Sequence, residues 1–180
     1  MAENLAEQGI RVSVVEGAAH VMPPIDMDMA HAVHNYIRAQ GIGLYLGHTC
    51  TAMDKDGIIL DNGVRVLADM VIMSIGVRPD TGFLKDSAIE LGARGEILVN
   101  QYMETSAEDV YALGDAVSVK HVVSGQKVLI PLASPANKQG RIVGDNLCGR
   151  KTAYKGSQGT SVMKFFDMTV AVTGEKEESL

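Results

Sequence analysis

Tryptophan is absent from these 180 residues, aromatic side chains make up 4%, and cysteine occurs twice. Cys50 and Cys148 lie far apart and form no CxxC pair, which argues against a cysteine zinc site and a local redox pair. Both stand among apolar neighbours and are expected to be buried, reduced thiols. No apolar run approaches the roughly 20 residues that span a bilayer. No charged-then-apolar opening with a small-residue cleavage site is present, so the cytoplasm is the expected compartment. A glycine-rich dinucleotide loop, a Walker loop and a Gly-x-Ser-x-Gly elbow are also missing. Acidic residues (22) outnumber basic ones (16), giving a net charge of -6 and no electrostatic footprint for nucleic acid. Asp54-Lys55-Asp56-Gly57 lacks the glutamate of a calcium loop and reads as a turn. His31 and His34 share a helix face near Asp28, a spacing compatible with metal but far commoner on polar faces, so no metal is expected.

What is present points to a packed α/β chain. Hydrophobic residues reach 46%, enough for a core. Residues 1–8 read as a helix stopped by Gly9, and 10–15 as a buried β-branched strand ending at Glu16. Pro23-Pro24 stiffens the connector to a helix over 27–40, whose stripe is Met29, Val33, Tyr36 and Ile37. A short strand at 44–46 follows. Asp54-Lys55-Asp56-Gly57 and Asp61-Asn62-Gly63 predict antiparallel hairpins over 49–68. Residues 69–75 (DMVIMSI) read as a further buried strand closed by Gly76. A short helix is expected at 81–88, with strands at 97–99, 110–113, 117–123 and 128–132. A helix over 134–147 carries Pro135 in its first turn, and two strands are expected within 160–173. A helix with no preceding strand at the start looks like a chain that opens midway through a βαβ unit.

Several positions could carry chemistry. A carboxylate at the C-terminal end of a parallel strand, here Glu16, can accept from both hydroxyls of an adenosine ribose and repels a 2′-phosphate. It is equally an ordinary acid at a strand end. Gly76 would let backbone pass close to a nucleotide, or simply make a turn. The strongest local motif is residues 105–115 (TSAEDVYALGD), in which a strand delivers Gly114 and Asp115 at its carboxyl edge. Gly114 removes a blocking side chain, and Asp115 offers an acceptor to a polyol hydroxyl. Residues 130–141 (IPLASPANKQGR) place a helix start just after a strand, where free N–H groups and the positive helix pole can face an electron-rich ring.

In this order, with Val21-Met22-Pro23, Ile75-Gly76-Val77-Arg78-Pro79, Tyr111-Ala112-Leu113-Gly114-Asp115 and Pro131-Leu132-Ala133, the chain resembles the FAD-dependent pyridine nucleotide–disulfide oxidoreductases. It is most similar to their coenzyme A-disulfide reductase and NADH oxidase/peroxidase branch. The resemblance implies a fragment of a longer chain: a partial Rossmann-like NAD(P)-binding domain over 1–78, the second half of an FAD-binding domain over 79–153, and the start of an α+β dimerisation domain over 154–180. It implies that Gly114, Asp115, Leu132 and Ala133 serve FAD, that Glu16 and Gly76 serve NAD, and that Asn137 touches substrate. The redox cysteine is expected outside this chain, and neither Cys50 nor Cys148 inherits its role. The implied activity passes hydride from NAD(P)H through FAD to a small-molecule disulfide or persulfide, possibly based on coenzyme A, in a homodimeric full-length protein. NADH oxidase or peroxidase chemistry is the alternative. As an isolated polypeptide the chain is expected to be an inactive nucleotide-binding fragment. Thioredoxin-reductase-like relatives share the Gly-Asp motif, but the CxxC that would mark them is absent.

Overall fold

A computed structural model describes residues 1–179 and resolves two compact units. The first comprises Met1–Ser74, Val162–Val170 and the C-terminal residues from Lys176; the second comprises Ile75–Ser161 and Ala171–Glu175. The α/β expectation holds in both.

The first unit begins with helix α1 (Ala2–Glu7) and strand β1 (Ser13–Glu16). Helix α2 (Met27–Ala39) then returns the chain to strand β2 (Gly43–Leu46), which pairs parallel to β1 from Ser13↔Gly43 to Glu16↔Leu46. A parallel pair needs such a crossover, and α2 provides it. Its buried face is Ala30, Val33, His34 and Ile37, the three- and four-residue spacing of one helical stripe. The Asp26 carboxylate at its N-cap makes no capping bond and instead accepts from the Glu177 N–H at 2.9 Å.

Strands β3 (Cys50–Asp54), β4 (Gly57–Leu60) and β5 (Arg65–Leu67) form an antiparallel meander. The two turns predicted from sequence connect them. Gly57 has φ +138, and a Cβ there would run into the Val66 carbonyl, so only glycine fits this corner. Ile58, Leu60 and Val66 pack on Val15 and Tyr45 as a small core. The Asp56 N–H and the Arg65 guanidinium both donate to Asp54 and hold its carboxyl below the usual carboxylate range.

In the second unit, β6 (Ile97–Leu98), β7 (Val117–Lys120) and β8 (Lys127–Leu129) form a sheet, with β6 parallel and β8 antiparallel to β7. Helix α3 (Ala133–Leu147) follows directly. Val99, Met103, Val117, Val119, Ile130 and Val143 form its core, with Tyr111, Leu132 and Tyr154 packed against them. Asn146 fastens the end of α3: its Nδ2 donates to the Tyr102 and Thr152 carbonyls at 2.8 and 3.0 Å, and its Oδ1 accepts from the Thr152 N–H. Strands β9 (Ser161–Phe165) and β10 (Met168–Val172) form the last hairpin, of which Val162–Val170 is counted with the first unit.

Four expectations are corrected. Residues 69–75 join no sheet among the described residues, and the run is open to solvent, with Ile75 87% exposed. A strand exists only where a neighbour takes its N–H and C=O groups, and none of the described residues does so. Residues 110–113 make a single bridge, Tyr111 to Glu104, with the Ala112 N–H donating to Met103, and no strand. The helix expected at 81–88 shrinks to one 3-10 turn, Gly82–Leu84, because Phe83 is 82% exposed and no apolar face is buried to hold a longer helix. Both cysteines are exposed: Cys50 lies on β3, where every residue faces solvent, and Cys148 is the C-cap of α3.

Candidate functional site

Glu16 ends β1 and is half-buried. Its Oε1 accepts from the Ala18 N–H at 2.9 Å, so the small-residue turn Gly17-Ala18-Ala19 orients the carboxylate from within its own loop. The Ala18 carbonyl in turn accepts from Gly47, and the Glu16 carbonyl from His48. A carboxylate held at a strand end beside small, exposed residues can accept hydrogen bonds from a vicinal diol.

The connector after that turn is pinned by histidines, which the sequence did not single out for this role. His20 and His34 are both buried. The His34 Nε2 accepts from the Val21 N–H at 3.3 Å, and the His20 Nδ1 donates to the Val21 carbonyl at 2.9 Å. Burial chiefly, with the nearby charges of Arg38, His31 and His20, lowers the His34 pKa below its ordinary value, keeping the ring a neutral acceptor. His31 stacks edge-on against His34, with ring centroids 5.9 Å apart.

In the second unit, Gly114 and Asp115 lie in a turn leading into β7. Gly114 has φ +90, and the space its missing Cβ would occupy is empty. Its N–H donates to the Gln139 Oε1 of α3 at 2.7 Å. The Asp115 side chain is exposed, with no hydrogen bond to it among the described residues. Leu132 is the N-cap of α3 with extended backbone, and no side chain among the described residues caps the helix. Pro135 has no N–H, so the Ala133 and Ser134 amides remain as the free donors at the positive helix pole. Asn137 is exposed in the second turn of α3. A cavity of about 290 Å³ borders this helix start, lined in part by Ser134, Lys138 and Tyr154.

The second unit thus gathers Gly114, Asp115, Leu132, Ala133 and Asn137, and Gln139 ties the turn to the helix. Glu16 belongs to the first unit. Gly76, φ +96, lies in the second with open space around it, between the exposed Ile75 and Val77. An open glycine cradle, an unpaired carboxylate and uncapped helix amides suit a polyol-bearing cofactor with an electron-rich ring. The Gln139 contact to this turn is one that sequence reasoning passed over.

A family model for pyridine nucleotide-disulphide oxidoreductases matches residues 1–140. The chain is 33% identical, over 98% of its length and 40% of the relative's, to the NAD(P)H sulfur oxidoreductase (CoA-dependent) of Pyrococcus abyssi. It is 35% identical to an NADH oxidase of Enterococcus faecalis, over 99% of this chain and 41% of that one. A reduced CoADR-RHD protein of Bacillus anthracis superposes with a TM-score of 0.96 at 44% identity, covering 100% of this chain and 33% of that one. The chain spans about two-fifths of the length of the curated relatives it matches.

Proposed function

This chain belongs to the pyridine nucleotide-disulphide oxidoreductase family, and on that premise we propose that it contributes to a flavoprotein that passes hydride from NAD(P)H through FAD to a small disulfide or persulfide. The observation that carries the reading is the open Gly114 cradle beside Asp115, tied to the uncapped start of α3. FAD, when bound, supplies the two-electron chemistry between the nucleotide and the sulfur acceptor.

The residues of this chain then have distinct tasks. Asp115 accepts a hydrogen bond from a ribityl hydroxyl, and Gly114 gives the cofactor room. Leu132 and Ala133 bring the α3 amides to the electron-rich edge of the flavin ring, where the helix pole favours negative charge. Glu16 accepts from the ribose hydroxyls of NADH and disfavours the 2′-phosphate of NADPH. Gly76 admits the nucleotide close to the backbone. Asn137 stands where the resemblance places a substrate-touching residue. Cys50 and Cys148 take no part in electron transfer.

A coenzyme A-based disulfide or persulfide is the preferred acceptor, supported by the similarity to the CoA-dependent Pyrococcus relative. Oxygen or peroxide is the second reading, supported by the similarity to the Enterococcus NADH oxidase. The domain reading remains a partial NAD(P)-binding region over 1–78, a partial FAD-binding region over 79–153 and the start of a dimerisation region from 154. No helix among the described residues is long and apolar enough to cross a membrane, and we place the protein in the cytoplasm, as a homodimer in its full-length form. The chain on its own is proposed not to turn over.

The test is an absorbance spectrum of the purified chain before and after FAD addition and gel filtration. A retained flavin band, lost in Asp115→Ala, supports the assignment. A chain that emerges colourless refutes the claim that these residues suffice to hold the cofactor.

A further inference from the structure

We propose that Gln139 is a positioning residue for the flavin site, setting the Gly114–Asp115 turn against the start of α3. The proposal rests on reading that turn as the ribityl-binding element.

The core face of α3 is Pro135, Gln139 and Val143, spaced four residues apart. Two of these are apolar, and a leucine or methionine would be the ordinary choice between them. Gln139 is instead 1% exposed and is among the largest fully buried side chains of the molecule. Burying a primary amide is unfavourable unless its polar atoms are used. Its Oε1 is used once, on the Gly114 N–H at 2.7 Å, across 25 residues of sequence. That N–H has no backbone acceptor among the described residues, because the turn precedes the first rung of β7. Gln139 therefore satisfies a donor that would otherwise be orphaned.

The direction of this bond matters for function. Gly114 is held on its N–H side by α3, while the side where a Cβ would project is empty. The clamp thus fixes the turn without entering the space a cofactor needs. Because the same helix presents the free Ala133 and Ser134 amides, one hydrogen bond sets the spacing between the acceptor at Asp115 and the donors at the helix start. Holding both before the ligand arrives lowers the ordering cost of binding.

The experiment uses the full chain with FAD, comparing wild type, Gln139→Met and Gln139→Glu. Methionine keeps the shape and removes the acceptor; glutamate keeps an acceptor oxygen. Flavin fluorescence titration gives the dissociation constant, and amide hydrogen exchange reports the Gly114 N–H. The expected result is about tenfold weaker FAD binding and faster Gly114 exchange in Gln139→Met, with both restored in Gln139→Glu. Wild-type affinity in Gln139→Met together with faster Gly114 exchange would overturn the positioning role and leave Gln139 a structural tie. Failure of wild type to bind FAD would overturn this role for the chain by itself, together with the claim that these residues suffice to hold the cofactor. Should Gln139→Met not fold, the wild-type amide decides: protection of Gly114 before FAD is added supports the clamp, and protection appearing only with FAD refutes it.

Discussion

Replacing Asn146 tests whether α3 is anchored as its geometry requires. Three hydrogen bonds converge on this one side chain, two donated to the Tyr102 and Thr152 carbonyls and one accepted from the Thr152 N–H. Each intramolecular hydrogen bond contributes about 0.5–1.5 kcal/mol net, which sets an upper figure of roughly 4.5 kcal/mol for Asn146→Ala. The side chain is only half-buried, so water replaces part of what is lost. An expected cost of about 2 kcal/mol follows, equivalent to a fall in melting temperature of roughly 10 °C for a unit of this size. Asn146→Asp separates the components. It retains an acceptor for Thr152 but gives up both donations, placing a negative charge toward two carbonyl oxygens, so it should be no more stable than the alanine variant. Circular dichroism at 222 nm, followed through a urea titration, reads both variants without needing tryptophan. A loss under about 0.5 kcal/mol in Asn146→Ala, the range of an unremarkable surface change, would refute the anchoring argument.

The remaining predictions concern other parts of the molecule. The folded-state pKa of His34 lies below its ordinary 6.5, so the unfolded chain binds the proton first as pH falls. The stability held by the neutral ring is therefore present above that value and is lost progressively below it. The melting temperature of the first unit should drop between pH 7 and pH 5, and His34→Gln, a non-titrating acceptor, should flatten the slope; an unchanged slope counts against the Val21 contact. Glu16→Ala should weaken NADH binding about tenfold or more, since a bond to a charged acceptor contributes roughly 1.5–3 kcal/mol. Combined with Ala18→Arg it should favour NADPH, and a fluorescence titration with both nucleotides showing an unaltered ratio would exclude Glu16 as the discriminating residue. Both cysteines should react with a thiol reagent in the folded chain, and Cys50→Ser with Cys148→Ser should leave FAD binding intact; loss of flavin in that pair would contradict their exclusion from the chemistry.

The parts of the fold that were legible in the sequence are those whose causes are local. The 54–57 and 61–63 turns, the helices ending near Gln40 and Leu147, and the parallel pair flanking α2 each follow from a few adjacent residues. The failures share a different cause. Residues 69–75 have a strand's composition, but pairing is supplied by distant chain, and none of the described residues pairs with them. The hydrophobic pattern records the environment a segment suits, not the one its own chain provides. The apolar neighbours of Cys50 suit an interior position, yet all of β3 faces solvent. Gln139 escaped notice because a glutamine in an amphipathic helix reads as polar face. Its position four residues from both Pro135 and Val143 was the available signal, since that places it on the apolar stripe.

The same distinction separates the two elements proposed to face ligands. The Glu16 carboxylate is oriented by an amide two residues away, so its geometry is a property of one short loop. The Gly114 turn is oriented by Gln139, which depends on α3, whose far end depends on Asn146 and its grip on Tyr102 and Thr152. A carboxylate held by its own turn, as Glu16 is, tolerates disturbance elsewhere in the chain. A turn held through a helix, as Gly114 is, does not. Loosening α3 at Asn146 should therefore raise exchange of the Gly114 amide while leaving the Ala18 amide at its wild-type rate. Equal acceleration at both would mean that the chain opens as one cooperative body, and that the clamp at Gln139 has no independent effect on the turn it holds.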